Sequence, residues 1–284
     1  MTNRRGFTLV ELIVALVLLS IVGGVIIKLL ASSQRLARHQ SERVLLQSNV
    51  RTGSLLVPSE LRELGVNATT ADIQAMAANS ITYRALRATG VACAVTPGAP
   101  GTVTLRKSLY FAYRPLQASR DSLLIFMDND ANLLTDDRWG AYAITGAPVS
   151  GVCPSGGAAW VVPAVVAVDS VARMQLETPV RSFEIMQIGL LADGGKFWLG
   201  ARSVSGGETD LQPVLGPLRS DGLQISYLAA NGSATTVPSQ VRTIDVLIRG
   251  LTQNATTSGT GVTDLRLSQD SLLTRIRLRN APAL

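Results

Sequence analysis

The sequence predicts an α+β protein: a long N-terminal α-helix followed by a head built on an antiparallel β-sheet. Three observations carry that expectation. A nearly unbroken apolar run covers residues 7–30, helical patterning continues over 31–65, and from 66 to 284 the chain changes to short alternating runs punctuated by Gly, Asp, Asn and Pro. At 284 residues and 46% hydrophobic, the chain has room for one substantial domain plus an anchor.

The first element is the apolar run. At about 1.5 Å per residue a helix from Phe7 to Leu30 spans the roughly 30 Å hydrocarbon core of a bilayer. A secretory signal would place a small-residue cleavage site after the apolar stretch. Here Arg4, Arg5 and Gly6 come before it and no A-x-A site closes it, so a cut after Gly6 would leave the whole helix on the mature protein. Arg4 and Arg5 favour a cytoplasmic start, but Lys28, Arg35 and Arg38 follow on the other side, so charge counting does not decide the orientation. Gly23 and Gly24 interrupt the run, either as a point of bending or as a place of close helix packing.

Glu11 stands five residues into this run. The residues Gly6, Phe7, Thr8, Leu9, Val10, Glu11 and Leu12, with the apolar stretch behind them, resemble the prepilin signal of type IV pilins and type II secretion pseudopilins. The resemblance implies that residues 1–6 are a leader peptide, that a prepilin peptidase cuts between Gly6 and Phe7, and that it methylates the new amino group of Phe7. It also implies a single-pass inner-membrane protein with its N-terminus cytoplasmic before cleavage and its head outside the cytoplasm, later incorporated into a filament. A lone carboxylate at membrane depth costs about 2.5–3.5 kcal/mol and is retained where it finds a partner. The freed Phe7 amine is such a partner, within one chain or between neighbours. The family pattern favours pairing between subunits, and other pilins or pseudopilins, an inner-membrane assembly platform and membrane lipid are the partners it implies.

Beyond Leu30 the stalk places Leu36, Val44, Val50 or Arg51, and Leu55 near one helix face. Its first half is polar enough to be solvated, and its second half is expected to pack on the head. Pro58 should kink or stop the helix, leaving "PSELREL" as a last turn or short second helix ending at Gly65. An extended membrane helix with its far half on a head resembles the pilin scaffold.

After a helical-looking "NATTADIQAMAANS", the runs "SITYRALRA", "GTVTLRKSLYFAYR", "RDSLLIFM", "RSFEIMQIGLL", "KFWLGARSV", "GLQISYLAA", "QVRTIDVLIRG" and "LLTRIRLRN" read as strands. "LLADGGKFWLG" is the best hairpin, because Asp193 to Gly195 tolerates positive φ. "LTQNATTSGTGVTD" is expected to be a flexible loop between the last two strands. The closing region, "PVLGPLRSDGLQISYLAANGSATTVPSQVRTIDVLIRG" followed by "SLLTRIRLRN", resembles that of PilW-type minor pilins and J-type minor pseudopilins.

Little in the sequence points to catalysis. His39 is the only histidine and lies among Arg35, Arg38 and Arg43, which excludes multi-histidine zinc sites. There is no G-x-S-x-G, phosphate-binding glycine loop or HExxH. Cys93 and Cys153 lie in turn-rich segments and either close a disulfide, if exported, or stand as two thiols. Asp128, Asp130, Asn132 and Asp136 occupy positions one, three, five and nine of an EF-hand-like loop, a candidate weak Ca²⁺ site; Leu133 and Trp139 stand where glycine and glutamate are wanted, so an acidic turn is the competing reading. No other cofactor is expected.

The net charge of +6 falls to +4 once Arg4 and Arg5 are lost, 24 basic against 20 acidic side chains, with no basic cluster interleaved with aromatics. The resemblance implies a minor pilin or pseudopilin that initiates or caps filament assembly, and no enzyme is expected. The alternative is a DNA- or surface-binding pilus module, with nucleic acid as its partner. A membrane-anchored enzyme borrowing the signal is a third reading.

Overall fold

A computed structural model of the chain describes residues 8–66, 71–130, 132, 137–175, 177–257 and 265–279. They form two compact units, one of residues 1–48 with 252–269 and one of 49–251 with 270–284.

Helix α1 runs Leu9–Leu61 without interruption, through Gly23–Gly24 and through Pro58. Pro58 therefore neither stops the helix nor starts a second one; of the two alternatives the sequence offers, Pro58–Leu61 form a last turn of α1. An internal proline costs about 3 kcal/mol. Val57 and Leu61, both fully buried in the core of the head, return about 1.5–3 kcal/mol each, enough to carry the helix one more turn. Arg62 N donates to Pro58 O at 3.0 Å to close that turn.

The strands, in chain order, are β1 (Ile73–Met76), β2 (Ser80–Thr96), β3 (Gly98–Arg106), β4 (Phe111–Ala112), β5 (Asp121–Met127), β6 (Arg138–Ala143), β7 (Val149–Val152), β8 (Ala158–Val166), β9 (Thr178–Asp193), β10 (Lys196–Ser203), β11 (Gln212–Leu228), β12 (Thr243–Leu251), β13 (Thr256–Thr257), β14 (Leu265–Arg266) and β15 (Gln269–Arg277). Among the described residues thirteen of them form one sheet, whose main path is β15-β12-β11-β10-β9-β2-β3-β8-β7, with β1 and β4 on β2 and with β5 joining β9 to β6. The architecture is thus a long N-terminal helix followed by a large antiparallel sheet, the α+β pilin-like arrangement.

The β9–β10 hairpin turns where the sequence places it. Asp193 pairs with Lys196, and Gly194 and Gly195 take φ of 56° and 74°, the conformation a two-residue primed turn requires.

Strand β2 is the organising element. Ile81, Tyr83 and Ala85 face one core, while Ala88 and Ala92 face another, because the register of β2 on β9 shifts between Leu86 and Ala88. A bulge adds one residue and so exchanges the faces of a strand. The first core gathers Val57 and Leu61 of α1 against Leu199, Leu218, Ile244 and Ile248. The second gathers Val103, Leu105, Leu123, Ile125, Tyr142 and Val162.

Four further expectations are corrected. The stalk residues Leu36, Val44 and Leu55 are 59%, 64% and 65% exposed, whereas the buried positions at the end of α1 are Val50, Gly53, Ser54, Val57, Pro58 and Leu61. Apolar periodicity misses this face because two of its members are small. A Cβ on Gly53 would lie 2.8 Å from Ile248 Cδ1 and 3.1 Å from Leu215 Cδ2, so the helix approaches β11 and β12 through that glycine. Second, the helical-looking segment after Gly65 contains β1, with Ile73 paired to Tyr83 and buried beside it. Third, β6, β7 and β8 went unread. In β8 the deterrent is Pro163, whose carbonyl accepts from Thr145 N at 2.9 Å, so its missing N–H falls on that side and not in the ladder to β3. Fourth, the segment expected to be a loop contains the two-residue strand β13, which pairs with β14 just beyond it, while residues 258–264 lie outside the described ones. Within that unit Glu42 of α1 accepts from Gln253 N at 2.8 Å and from Asn254 Nδ2 at 2.7 Å.

Gly53→Leu should destabilise the head by about 1–3 kcal/mol through overpacking. Gly53→Ala should be close to neutral, since Ile248 and Leu215 need yield only at their side-chain ends and the helix gains about 1 kcal/mol of propensity. Denaturant midpoints of the two variants check this.

Candidate functional site

The N-terminal turn of α1 is built by a T-x-x-E sequence. Glu11 Oε2 accepts from both the backbone N and the Oγ1 of Thr8 at 3.2 Å, and Thr8 Oγ1 accepts from Glu11 N at 3.3 Å. This is a reciprocal capping box, in which two otherwise orphaned N–H groups at the helix start are satisfied and a carboxylate sits at the positive end of the helix dipole. The sequence reading found Glu11 but not its tie to Thr8, although the spacing alone signals it. Gly6 and Phe7, the expected cleavage pair, lie outside the described residues. A cut between them keeps Thr8 and its N–H, so the cap survives processing.

The helix beyond the cap is bare. Each of the sixteen large apolar side chains from Leu9 to Leu30 is at least 50% exposed, and the stretch long and apolar enough to cross a membrane is not buried at all. Leaving a Leu or Val in water forgoes about 1.5–3 kcal/mol, so such a surface needs lipid or other helices around it. Ser20, the one hydroxyl between Thr8 and Ser32, donates to Leu16 O at 2.8 Å and is thereby suited to an apolar setting. Among the described residues nothing beyond the helix's own neighbouring backbone comes within 4 Å of a Cβ built on Gly23 or Gly24, so no packing contact among them requires glycine there. Lys28 is the next charged residue after Glu11, about 25 Å along the axis at 1.5 Å per residue, too far to neutralise it within one helix.

In the head, Cys93 and Cys153 are joined with Cα atoms 5.7 Å apart, tying β2 to the turn after β7. Closing a loop of 60 residues is worth about 2–4 kcal/mol, and the Cys93→Ala/Cys153→Ala double variant should lose that much in a denaturant titration. In the EF-hand-like loop, Asp130 Oδ1 accepts from Asn132 N and Nδ2, both at 3.0 Å, and these bonds hold its carboxyl below the ordinary range. That geometry is an Asx turn. Asp136 lies outside the described residues, and among the described residues no group of three His, Cys, Asp or Glu is placed to hold a metal ion.

A buried ionic cluster occupies the bulge of β2. Glu184 of β9 is 2% exposed and Asp121 is 3% exposed. Glu184 accepts from Arg87 Nε at 2.9 Å, Arg114 Nη2 at 2.9 Å, Arg120 Nε at 2.8 Å and, by a short bond, Ser203 Oγ. Arg114 also holds Asp121 through two bonds of 2.7 Å. Burial pushes the Glu184 carboxyl up, but the bonds from Ser203, Arg87, Arg114 and Arg120 outweigh it and bring its pKa down to about 2. The sequence reading missed this cluster; its one local signal is a lone glutamate in the apolar strand "RSFEIMQIGLL".

Residues 1–27 match the family described as the prokaryotic N-terminal methylation motif. No curated protein and no solved structure matches the chain. The motif, with the long apolar helix behind it, is consistent with a type IV prepilin-like protein, and proteins of that kind are in general structural.

Proposed function

We propose that this chain is a minor subunit of a type IV pilus or a type II secretion pseudopilus, one that starts or caps the filament. In this reading a prepilin peptidase removes residues 1–6 and methylates Phe7, and the chain waits in the inner membrane with its head outside the cytoplasm. An assembly platform then draws it into a bundle of like helices. Glu11 neutralises the Phe7 amine of a neighbour, which offsets its own desolvation and sets the axial register.

The observation that carries the reading is the bare apolar helix with a single carboxylate at its first turn. In a bundle each such helix covers its neighbours, and a misplaced neighbour leaves two charges unpaired in apolar surroundings. The length of the head suits a minor subunit, since a filament repeating so large a head at every position would be crowded. Deleting the chain in cells that carry the peptidase should lower the number of filaments several-fold while leaving the level of the other subunits unchanged. Filaments unaltered in number and length would contradict the role.

A further inference from the structure

We propose that the cavity of about 460 Å³ beside β4 binds a proline-rich segment of another protein, held in the extended polyproline II conformation. Tyr110 and Tyr113, which flank β4, and Trp160 of β8 supply aromatic walls, and Pro115 and Pro148 add two rigid apolar rings. The volume lies within the roughly 300–1,000 Å³ of ordinary ligand sites. Aromatic-lined clefts are the usual receptors for polyproline II ligands, whose stiff backbone has little freedom left to lose.

The rings are held in place by the fold. Lys107 Nζ stands 3.8 Å from the centre of the Trp160 ring and donates to Ser150 Oγ at 3.1 Å, which pins that ammonium over the indole. The Tyr110 ring seats against Gly90, where an added Cβ would lie 3.3 Å from Tyr110 Cδ2. Tyr113 is tied by its backbone, its N donating to Arg87 O at 3.0 Å, while the residue itself is 85% exposed. Large rings with two side-chain torsions give contact area at little cost in entropy.

The polar atoms select the ligand. The Tyr110 and Tyr113 hydroxyls and Trp160 Nε1–H have no partner among the described residues, and Tyr110 OH and Trp160 Nε1 keep accessible surface although their residues are half-buried. Burial raises the Tyr110 pKa, so its hydroxyl stays protonated and able to donate. Arg114, the charged residue of the wall, is already taken by Asp121 through two bonds of 2.7 Å and by Glu184 at 2.9 Å, which leaves no charge for an ionic ligand to meet. The site therefore calls for a neutral, apolar ligand rich in acceptors. A proline segment is such a ligand, because proline has no N–H and the carbonyls of polyproline II make no internal hydrogen bonds. An alkyl chain would cover these donors without supplying an acceptor. A sugar would bring hydroxyl donors that find only the two phenol oxygens as acceptors among these three ring side chains.

The test uses the full-length chain in lipid nanodiscs, titrated into a fluorescein-labelled decaproline peptide and, separately, into a labelled Gly-Ser peptide of equal length, with anisotropy as the readout. Decaproline is expected to bind saturably with a Kd below about 1 mM, and the Gly-Ser peptide is expected not to bind. Tyr113→Ala should abolish the response, and at a residue so exposed it leaves the fold intact. Tyr110→Phe and Trp160→Phe keep a ring and remove one donor, so each should weaken binding about tenfold, the worth of one hydrogen bond. Leu273→Ala, an exposed position outside the cavity, should bind as the wild type does. Failure of decaproline to saturate, equal binding of the two peptides, or unchanged affinity in any of the three cavity variants overturns the proposal.

Discussion

Glu184→Leu should destabilise the head by about 3–5 kcal/mol, the cost of leaving buried charges without their partner. Arg87, Arg114 and Arg120 all direct donors at the buried Glu184, and the leucine would leave those donors without their shared acceptor at the centre of the cluster. Glu184→Gln should cost less, because one amide oxygen can still accept from Ser203 or an arginine. The same cluster predicts acid sensitivity. Its carboxyl pKa is about 2 in the folded head against an ordinary 4.5, so the stability it contributes is complete above about pH 4.5 and is lost as pH falls towards 2. Chemical denaturation of the wild type between pH 6 and 2 should show this decline, and Glu184→Gln should show less of it. Equal decline in both would place the acid response elsewhere.

The second large effect is expected at Glu11, where two roles can be separated. Glu11 caps the helix through Thr8 and, in the proposed filament, neutralises a neighbour's amine. Glutamine serves at the third helical position of a capping box as glutamate does, but it carries no charge. Glu11→Gln should therefore leave the first turn of α1 intact yet lower incorporation into filaments at least tenfold, the loss corresponding to about 1.4 kcal/mol or more. Glu11→Ala should lose the cap as well and incorporate no better. Quantifying each variant in sheared filaments against its level in the membrane decides between the roles. If the glutamine variant incorporates normally and the alanine variant fails, Glu11 acts as a cap and charge pairing is not its task.

The parts of this protein legible in its sequence are those set by local chemistry. The anchor is read from composition alone, and the β9–β10 turn from the need for positive φ at Gly194 and Gly195. The strands read correctly, such as β12 and β5, alternate between buried and half-buried positions or carry a run of consecutive apolar residues. What stayed hidden depends on distant partners. The buried face of α1 passes through Gly53 and Ser54, which no hydrophobic pattern scores, and Pro58 is carried by packing that the helix alone does not contain. Strand β8 was masked by Pro163, tolerable only because of which side of the strand its nitrogen faces. The ionic cluster joins Arg87, Arg114, Arg120, Asp121, Glu184 and Ser203, and it depends on a bulge in β2 that only pairing with β9 defines. At the N-terminus the position is reversed, since both the capping spacing and the acid are visible in the residues themselves.

The proposed assembly role requires that a new amine be made beside Glu11. Mass spectrometry of the mature N-terminus, on chain purified from cells carrying the peptidase, tests that most directly. The expected result is a peptide beginning at methylated Phe7. A peptide that still begins at Met1 and runs uncut through Gly6 and Phe7 would contradict it.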